Sequence, residues 1–575
     1  MPGPRTWNLA DLFEIVADTV PDRTALIAGD RRLSYRELDE RASRLAHHLA
    51  TTGVGPGEAV GVYSWNRAEW LEAMFAAWKI SAIPINLNYR YVADEARFIL
   101  DDADVVAIVH ERGFAPLLAG IAPSLPKVRH HIVLDDGSDD DASASACAAL
   151  GAVPYEDALA VASPGRELPA RSSDDLYVLY TGGTTGMPKG VVWRHEDIFF
   201  AAMGGGGFGK PPIRAPEELA GRVAPEGEEL VGICNAPMMH GGGQWVTCIA
   251  FFAGNTCILN TSRHFDADEV WRLAEREHAR SIMVVGDAMA RPLVDALSRP
   301  GAAYDTSAVV AIGSGGAILS AAVKEQLRAK LPHAIVMDSF GASETGAAGS
   351  VMDLEGPAAG PRFTMGEFMT VLDDDLRPVA PGSGVVGRLA RSGHIPLRYH
   401  KDDEKTAVTF LTTPDGRRWV VPGDDATIEP DGTITLLGRG SVCINSGGEK
   451  IYPEEVEAAL KSHPDVFDAI VIGVPDDRFV ERVAAIVQPR PGATPTLADV
   501  QDHCRTKLAG YKVPRQLVVL DEIVRTPVGK PDYRWARAVS SGRSRSDSEG
   551  SDRRSSAPAP VASPQSHAHG GIRHG

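Results

Sequence analysis

Between Tyr180 and Gly190 the chain reads YTGGTTGMPKG. Gly182, Gly183 and Gly186 carry no Cβ, so backbone N–H groups can close on phosphate oxygens, while Thr181, Thr184 and Thr185 add hydroxyl donors and Lys189 adds a positive charge. Such a segment is built to hold a triphosphate. It is not a Walker A loop, because Lys189 follows Pro188 and precedes Gly190, with no Ser or Thr after it to hold a metal. The flanks Leu176 to Tyr180 and Val191 to Trp193 are β-branched and aromatic, so the loop joins two strands. On this segment alone, a surface loop rich in turn residues is the plain alternative.

The elements that must position this loop are those of a large α/β protein. A chain of 575 residues exceeds one ordinary core, so at least two domains are expected. A formal charge of −18 argues against a nucleic-acid binder, whose affinity comes mainly from Lys and Arg. Six cysteines at 147, 234, 248, 257, 443 and 504 form no CxxC pair, which suits a reducing cytosol and gives no zinc pattern. Asp11, Glu14 and Asp18 interrupt any secretory h-region. The apolar runs Ala73 to Ile85 and Val246 to Leu259 are broken by Lys79 and by Gly254-Asn255, short of the roughly 18 residues a span needs. The expectation is a cytoplasmic enzyme with no integral membrane segment.

Leu33 to Ala50 predicts an amphipathic helix opened by Ser34, Ala59 to Tyr63 a buried strand, Ala68 to Lys79 a helix, and Ala103 to Val109 another buried strand. This βα alternation predicts a largely parallel sheet. From Ala426 to Leu437 the pattern alternates around Asp431-Gly432, a type I′ hairpin signal. Beyond Arg439, Tyr452-Pro453-Glu454-Glu455 opens a helix, and Ala469 to Val474 and Arg482 to Val487 supply strands of a small α+β unit. Three segments follow: a large domain over 1–439, a small one over 440–538, and a tail over 539–575 too poor in apolar residues to order itself. The glycine- and proline-rich stretch Gly204 to Glu229 could gate a pocket but reads first as a surface excursion.

The loop does not stand alone. In order, the chain carries Gly315-Gly316-Ala317, then Ser339-Phe340-Gly341-Ala342-Ser343-Glu344, then Gly423-Asp424, Gly438-Arg439, Ser446-Gly447-Gly448-Glu449-Lys450 and Gly529-Lys530. This series resembles the adenylate-forming superfamily, which holds acyl-CoA synthetases, luciferases and the adenylation domains of peptide synthetases. The resemblance runs from about Trp7 to about Ala538 and implies a large adenylate-forming domain with parallel-sheet subdomains and a small mobile C-terminal lid. It also implies ATP, Mg2+ and coenzyme A. A carboxylate attacks the α-phosphate of ATP, pyrophosphate leaves, and a thiol then attacks the acyl-adenylate.

Roles follow from the resemblance, residue by residue. Thr181 to Lys189, with Thr184 and Lys189 acting in catalysis, would hold the phosphates. Glu344 would ligate Mg2+, and Ser343 stands where the family commonly has Thr. Gly315, Gly316 and Ala317 would wall the adenine, with Ser339, Phe340 and Gly341 beside them. Asp424 and Arg439 would take the ribose. Lys530 would bridge the carboxylate and α-phosphate during adenylation and then swing away, and Gly447 and Gly448 would line the pantetheine tunnel. At the hinge the sequence departs from the family's usual Asp or Lys, with Val442 in that place.

The acid would lie against Met238, Met239, His240 and the run Gly241 to Trp245. His240 could gate or orient the carboxylate, or be a structural histidine. Met and Gly favour a roomy apolar cavity, which suits a fatty or polycyclic acid. GMPKGVVWRHEDIF and GRGSVCINSGGEKIYPEEVE also resemble actinobacterial acyl-CoA synthetases acting on fatty acids or on steroid side-chain acids. The implied activity is an AMP-forming acid–thiol ligase. Two alternatives stay open: loading of a carrier-protein phosphopantetheine, and a non-catalytic acyl or nucleotide sensor. Neither the acid nor the oligomeric state, a homo-oligomer included, follows from the sequence.

Overall fold

The computed structural model describes residues 5–181, 188–207, 210–317, 319–352, 362–413, 415–439, 442–446, 449–476, 480–508, 510–525 and 531–540. Ser34 opens the helix Tyr35–Thr51 with a capping box: its hydroxyl accepts from Glu37 N while the Glu37 carboxylate accepts from Ser34 N. The helix Ala68–Lys79 is buried along its whole length. Its one basic residue, Lys79, survives there because Glu14 and Asp39 reach Nζ at 2.6 and 2.7 Å.

One parallel sheet runs in the order Ile83–Asn86, Ala59–Tyr63, Val105–Glu111, His130–Leu134, Val153–Pro154. A second begins with the hairpin partner Arg31–Ser34. It then lines up in parallel Thr24–Ala28, Thr256–Leu259, Val231–Cys234, Ser281–Val284, Ala311–Gly315 and Ile335–Ala342. Past Ile335–Ala342 the pairing turns antiparallel, through Gly346–Met352 and Arg362–Met365 to Ile434–Arg439 and Asp424–Ile428. The C-terminal unit carries Ile444–Ser446, Glu449–Ile451, Val466–Asp476, Val480–Pro489 and Gln516–Val519 in one sheet. Its helix Pro453–Lys461 starts with Pro at its first position, where the missing N–H costs nothing. The chain is thus α/β with parallel sheets and a separate small C-terminal unit, as the pattern of apolar residues implies.

Three expectations are corrected. The hairpin at Asp431-Gly432 is not type I′, since only Gly432 has positive φ (+83°) and Glu429 N donates to Thr433 O across a three-residue loop. Pro430, locked near φ −65°, excludes the left-handed first position that a longer I′ reading would need, and a type I turn closed by a left-handed glycine results. The stretch Gly204 to Glu229 is not a mere excursion: Ile213 and Leu219 are 2% and 0% exposed and join the main core, and Pro216–Arg222 forms a 3-10 helix. Of the tail expected over 539–575, residues 539 and 540 instead close the helix Tyr533–Ser540, and 541–575 lie outside the described residues.

Candidate functional site

The strands Leu176–Thr181 and Lys189–Arg194 pair antiparallel with Thr181 directly opposite Lys189. These two residues therefore close the ends of the ladder, and the loop between them is 182–188. Gly182, Gly183, Thr184, Thr185 and Gly186 lie outside the described residues. Gly190 lets the strands close, since a Cβ there would press on His400 Cβ and the Tyr180 ring, each at 3.1 Å. The base of the hairpin is fixed by Asn86, whose side chain donates to Tyr180 O and Met239 O at 2.9 and 2.7 Å and accepts from Tyr180 N at 2.8 Å. One buried amide thus ties the phosphate hairpin to the segment that precedes His240.

A third strand, Arg398–Tyr399, joins this hairpin, with Tyr399 opposite Val191. That pairing delivers two residues the motifs did not reveal. Lys189 Nζ lies 3.2 Å from Asp402 Oδ2 and 5.7 Å from the centroid of the Tyr399 ring. The Tyr399 hydroxyl donates to Glu344 Oε1 at 2.8 Å. Lys189 and Glu344, far apart in sequence, converge on Tyr399. The turn that holds Glu344 is fixed by Trp193 Nε1, which donates to Ser343 O at 3.0 Å, and by Ala342 N, which donates to Thr345 Oγ1 at 2.9 Å. Asp402 also caps the helix Asp403–Thr409. Burial works against its charge, yet the Lys405 N–H and Lys189 hold its carboxyl below the ordinary range.

Gly315 and Ser339 stand side by side as the last pair, at the C-terminal end of the parallel ladder that their two strands share. Ligands of open α/β sheets bind at this end of the strands. Gly315 is the last residue of its strand, where a Cβ would come within 3.3 Å of Met283 Cε and 3.4 Å of Ser339 O, and Gly316 turns away at φ +84°. Both glycines leave a cradle that a side chain would fill. Gly341 is likewise obligatory, because a Cβ would strike Gly346 O. Ala317 is half-buried against the main core. The Phe340 ring packs on Phe363, centroids 4.6 Å apart, so that part of its surface is already engaged.

Asp424 faces Arg439 across the antiparallel pair of Asp424–Ile428 and Ile434–Arg439. The register thus brings together the two residues expected at one ribose; the Arg439 side chain, Gly447, Gly448 and Lys530 lie outside the described set. Val442 is described and half-buried, but no feature of it reports on pivoting.

His240 is the residue ahead of the helix Gly241–Phe252. Met238 and Met239 are 0% and 1% exposed and packed in the interior, so they do not line an open wall, contrary to the reading of the sequence. The sequence pattern could not separate them from wall residues, since both are apolar. Gly241 is also buried, pressed against Leu179 and Trp245. What stays partly open is one helix face bearing Gly242, Trp245, Val246 and Ile249. Trp245 is held by a relay: its Nε1 donates to the Tyr177 hydroxyl (3.2 Å), which donates to Gln244 Oε1 (2.7 Å), whose Nε2 donates to Met238 O (2.8 Å). Gly204 of the insert comes close to Ile249 on that face. The face is apolar and suited to an apolar guest.

Among the described residues no three His, Cys, Asp or Glu side chains gather as a metal cluster, and no helix is long and apolar enough to cross a membrane.

The family model for AMP-binding enzymes matches residues 13–397, and that for the AMP-binding enzyme C-terminal domain matches 455–530. A medium/long-chain-fatty-acid–CoA/3-oxocholest-4-en-26-oate–CoA ligase of Mycobacterium tuberculosis is 48% identical over 542 residues, 94% of this chain and 97% of that protein. A 3-oxocholest-4-en-26-oate–CoA ligase of Rhodococcus rhodochrous is 48% identical, covering 92% of this chain and 95% of its own length. Among solved structures, ATP-bound MatB from Rhodopseudomonas palustris superposes with a TM-score of 0.75 at 25% identity, covering 92% of this chain and 98% of that one. An anthranilate CoA ligase in complex with anthranoyl-AMP shares the fold at a TM-score of 0.80, with 24% identity and coverage of 94% and 98%. With both family regions present in order and relatives 48% identical along nearly their full length, the chain belongs to the AMP-binding enzyme family.

Proposed function

We propose that this chain is an ATP-dependent acid–thiol ligase that joins a hydrophobic carboxylic acid, a medium- or long-chain fatty acid or a bulky steroid-type acid, to coenzyme A. In the first step a carboxylate oxygen attacks the α-phosphorus of ATP and pyrophosphate leaves, giving the acyl-adenylate. In the second the coenzyme A thiolate attacks the acyl carbon and AMP leaves. The observation that carries the reading is the convergence of Lys189 and Glu344 on Tyr399, with Glu344 two residues past the strand whose Ser339 pairs with the glycine cradle at Gly315. Fixed cations and donors are needed where negative charge builds during phosphoryl chemistry.

Glu344 fits a Mg2+ site: it would offer a hard carboxylate oxygen, its other oxygen being already oriented by Tyr399. A Mg2+ held there would supply positive charge to the departing pyrophosphate. Thr181, Thr184 and Lys189 hold the β and γ phosphates, Asp424 and Arg439 the ribose, and Gly315 to Ala317 the adenine edge. Lys530 supplies the cation at the α-phosphate during adenylation, and the C-terminal unit then rotates so that Gly447 and Gly448 border the thiol's path. The apolar face at Trp245, Val246 and Ile249 takes the acid's tail, with His240 at its head. All six cysteines are free thiols, which fits a reducing compartment, the cytoplasm.

The test is AMP release by the purified chain across acetate, medium- and long-chain fatty acids and a steroid side-chain acid, with and without coenzyme A. Multiple turnovers that require both a hydrophobic acid and coenzyme A are expected. Acetate as the best substrate, or steady AMP release with no need for coenzyme A, would overturn the reading.

A further inference from the structure

The helix Asp287–Ser298 of the large domain meets the C-terminal unit through charges. Asp287 Oδ1 accepts from Ser320 N at 2.8 Å, which anchors the carboxylate to its own domain. Its Oδ2 lies 3.9 Å from Lys461 Nζ, and that ammonium lies 3.6 Å from Asp468 Oδ1. Asp468 then receives both Nε and Nη2 of Arg525, each at 2.6 Å. Signs alternate along the row, from Asp287 in one domain to Arg525 in the other. Arg525 is the residue immediately before 526–530, the segment that carries Lys530.

One turn further along the same helix, Arg291 is 2% exposed, with its guanidinium 5.6 Å from the centroid of the Phe467 ring of the C-terminal unit. Among the described residues its Nε and Nη2 have no hydrogen-bond partner, and Asp287 Oδ2 likewise has only the charge contact with Lys461. Burial pushes its pKa below the usual arginine value, the mark of a cation held where water would serve it better. A ring face returns part of that loss and leaves the N–H groups unmet. Docking of the C-terminal unit therefore gains one charge contact at Asp287 and strips solvent from another charge at Arg291.

We propose that Asp287 and Arg291 are opposed positioning residues that set how long the C-terminal unit keeps this docked arrangement, Asp287 holding it through Lys461 and Arg291 favouring its release. The inference rests on the two-step reading above, in which one arrangement of that unit serves adenylation and another serves thiol transfer, and it takes the docked one, which ties Arg525 just ahead of the segment that carries Lys530, as the adenylating arrangement. A clasp without a counterweight would trap the acyl-adenylate. A buried cation without a clasp would prevent docking.

The experiment measures the two half-reactions separately in the full chain: ATP/pyrophosphate exchange with the best acid of the panel, and acyl transfer to coenzyme A from the matching synthetic acyl-adenylate. Asp287→Asn keeps the bond to Ser320 N and loses the charge. Exchange should fall about tenfold while transfer is spared, a typical scale for removing one partner of a shielded ion pair. Arg291→Met keeps the packing on Phe467 and removes the buried cation, so exchange should hold or rise while transfer slows several-fold. A purely structural role would depress both half-reactions in both variants, and that result overturns the proposal. Lys461→Gln, on the other side of the clasp, must repeat the Asp287→Asn pattern, which keeps the test decisive if Asp287→Asn folds poorly. Lys530→Ala separates the two levels. If it retains exchange, the two-step role of this unit falls and the clasp with it; if it abolishes exchange while the opposed variants move together, only the clasp falls.

Discussion

The Tyr399 hydroxyl donates to Glu344 Oε1 at 2.8 Å while its ring lies 5.7 Å from Lys189 Nζ, so one side chain orders both the acid assigned to Mg2+ and the cation of the phosphate hairpin. Tyr399→Phe keeps the ring, including its edge contact with Phe410, and removes only the hydroxyl. A hydrogen bond to a charged group contributes about 1.5–3 kcal/mol, which corresponds to roughly ten- to hundredfold in rate. ATP/pyrophosphate exchange by Tyr399→Phe should fall by that factor at limiting Mg2+ and recover as Mg2+ is raised. An equal deficit at every Mg2+ concentration would show that the hydroxyl does not serve the metal ligand.

Lys189 rests 3.2 Å from Asp402, and both side chains are about one-third exposed (38% and 31%). A polyphosphate must compete with that carboxylate for the ammonium. Asp402→Asn preserves the cap on Asp403–Thr409, since Asn is as good an N-cap as Asp, and it deletes the competing charge. Initial-rate kinetics should give a KM for ATP lowered a few-fold in Asp402→Asn and raised on the order of tenfold in Lys189→Met, as expected for one partly screened charge. The KM for the acid should move in neither. A raised KM for ATP in both variants would mean that Asp402 assists the phosphates instead of competing with them.

Trp245 is the bulkiest side chain on the open helix face, and its Nε1 bond to Tyr177 fixes the indole. Trp245→Ala enlarges the space without touching the phosphate hairpin. The ratio of kcat/KM for a polycyclic acid over decanoate should rise by roughly ten-fold or more, the scale of a few methylene-sized contacts. Tyr177→Phe frees the indole and should blur selectivity between acids by a smaller factor. Competition assays with paired acids read both effects; an unchanged ratio in Trp245→Ala would place the acid elsewhere.

The hairpin was legible in sequence because its β-branched flanks and glycine-threonine loop are local signals, whereas Asp424 comes opposite Arg439 only through a register shift between Asp425 and Ala426 that the alternation around Asp431-Gly432 does not contain. Capping by Ser34 and the start at Pro453 were legible for the same reason. Tyr399, Asp402 and Asn86 were not, since each reaches the site through a pairing far along the chain: Tyr399 by lying beside Val191, and Asn86 by a hydrogen bond to Tyr180. No window around Arg398-Tyr399 predicts that neighbour. Likewise Met238 and Trp245 are both apolar residues near His240. Only the packed helix decides that one faces the interior and the other an open face.

In the C-terminal unit, Glu457 is 2% exposed and its Oε1 accepts from Val471 N at 3.0 Å. Burial raises its pKa from 4.5 to about 7, against the pull of Lys461 on its own helix and of Arg525, while Asp468 on the facing strand adds to the rise. Tyr533 of the last helix is a further ionisable neighbour among the described residues. The folded chain thus keeps a proton that the unfolded chain releases between pH 4.5 and 7. Stability contributed by this group is complete below that window and is lost as pH rises through it, by about 3 kcal/mol at 1.36 kcal/mol per unit. Glu457→Gln retains the acceptor for Val471 and has no proton to lose. Denaturation followed at pH 5 and pH 8 should find the variant close to the parent at pH 5 and more stable at pH 8 by up to that amount. A gain of the same size at both values would mean that Glu457 ionises in the folded chain as freely as in the unfolded one, and that its burial is relieved by water.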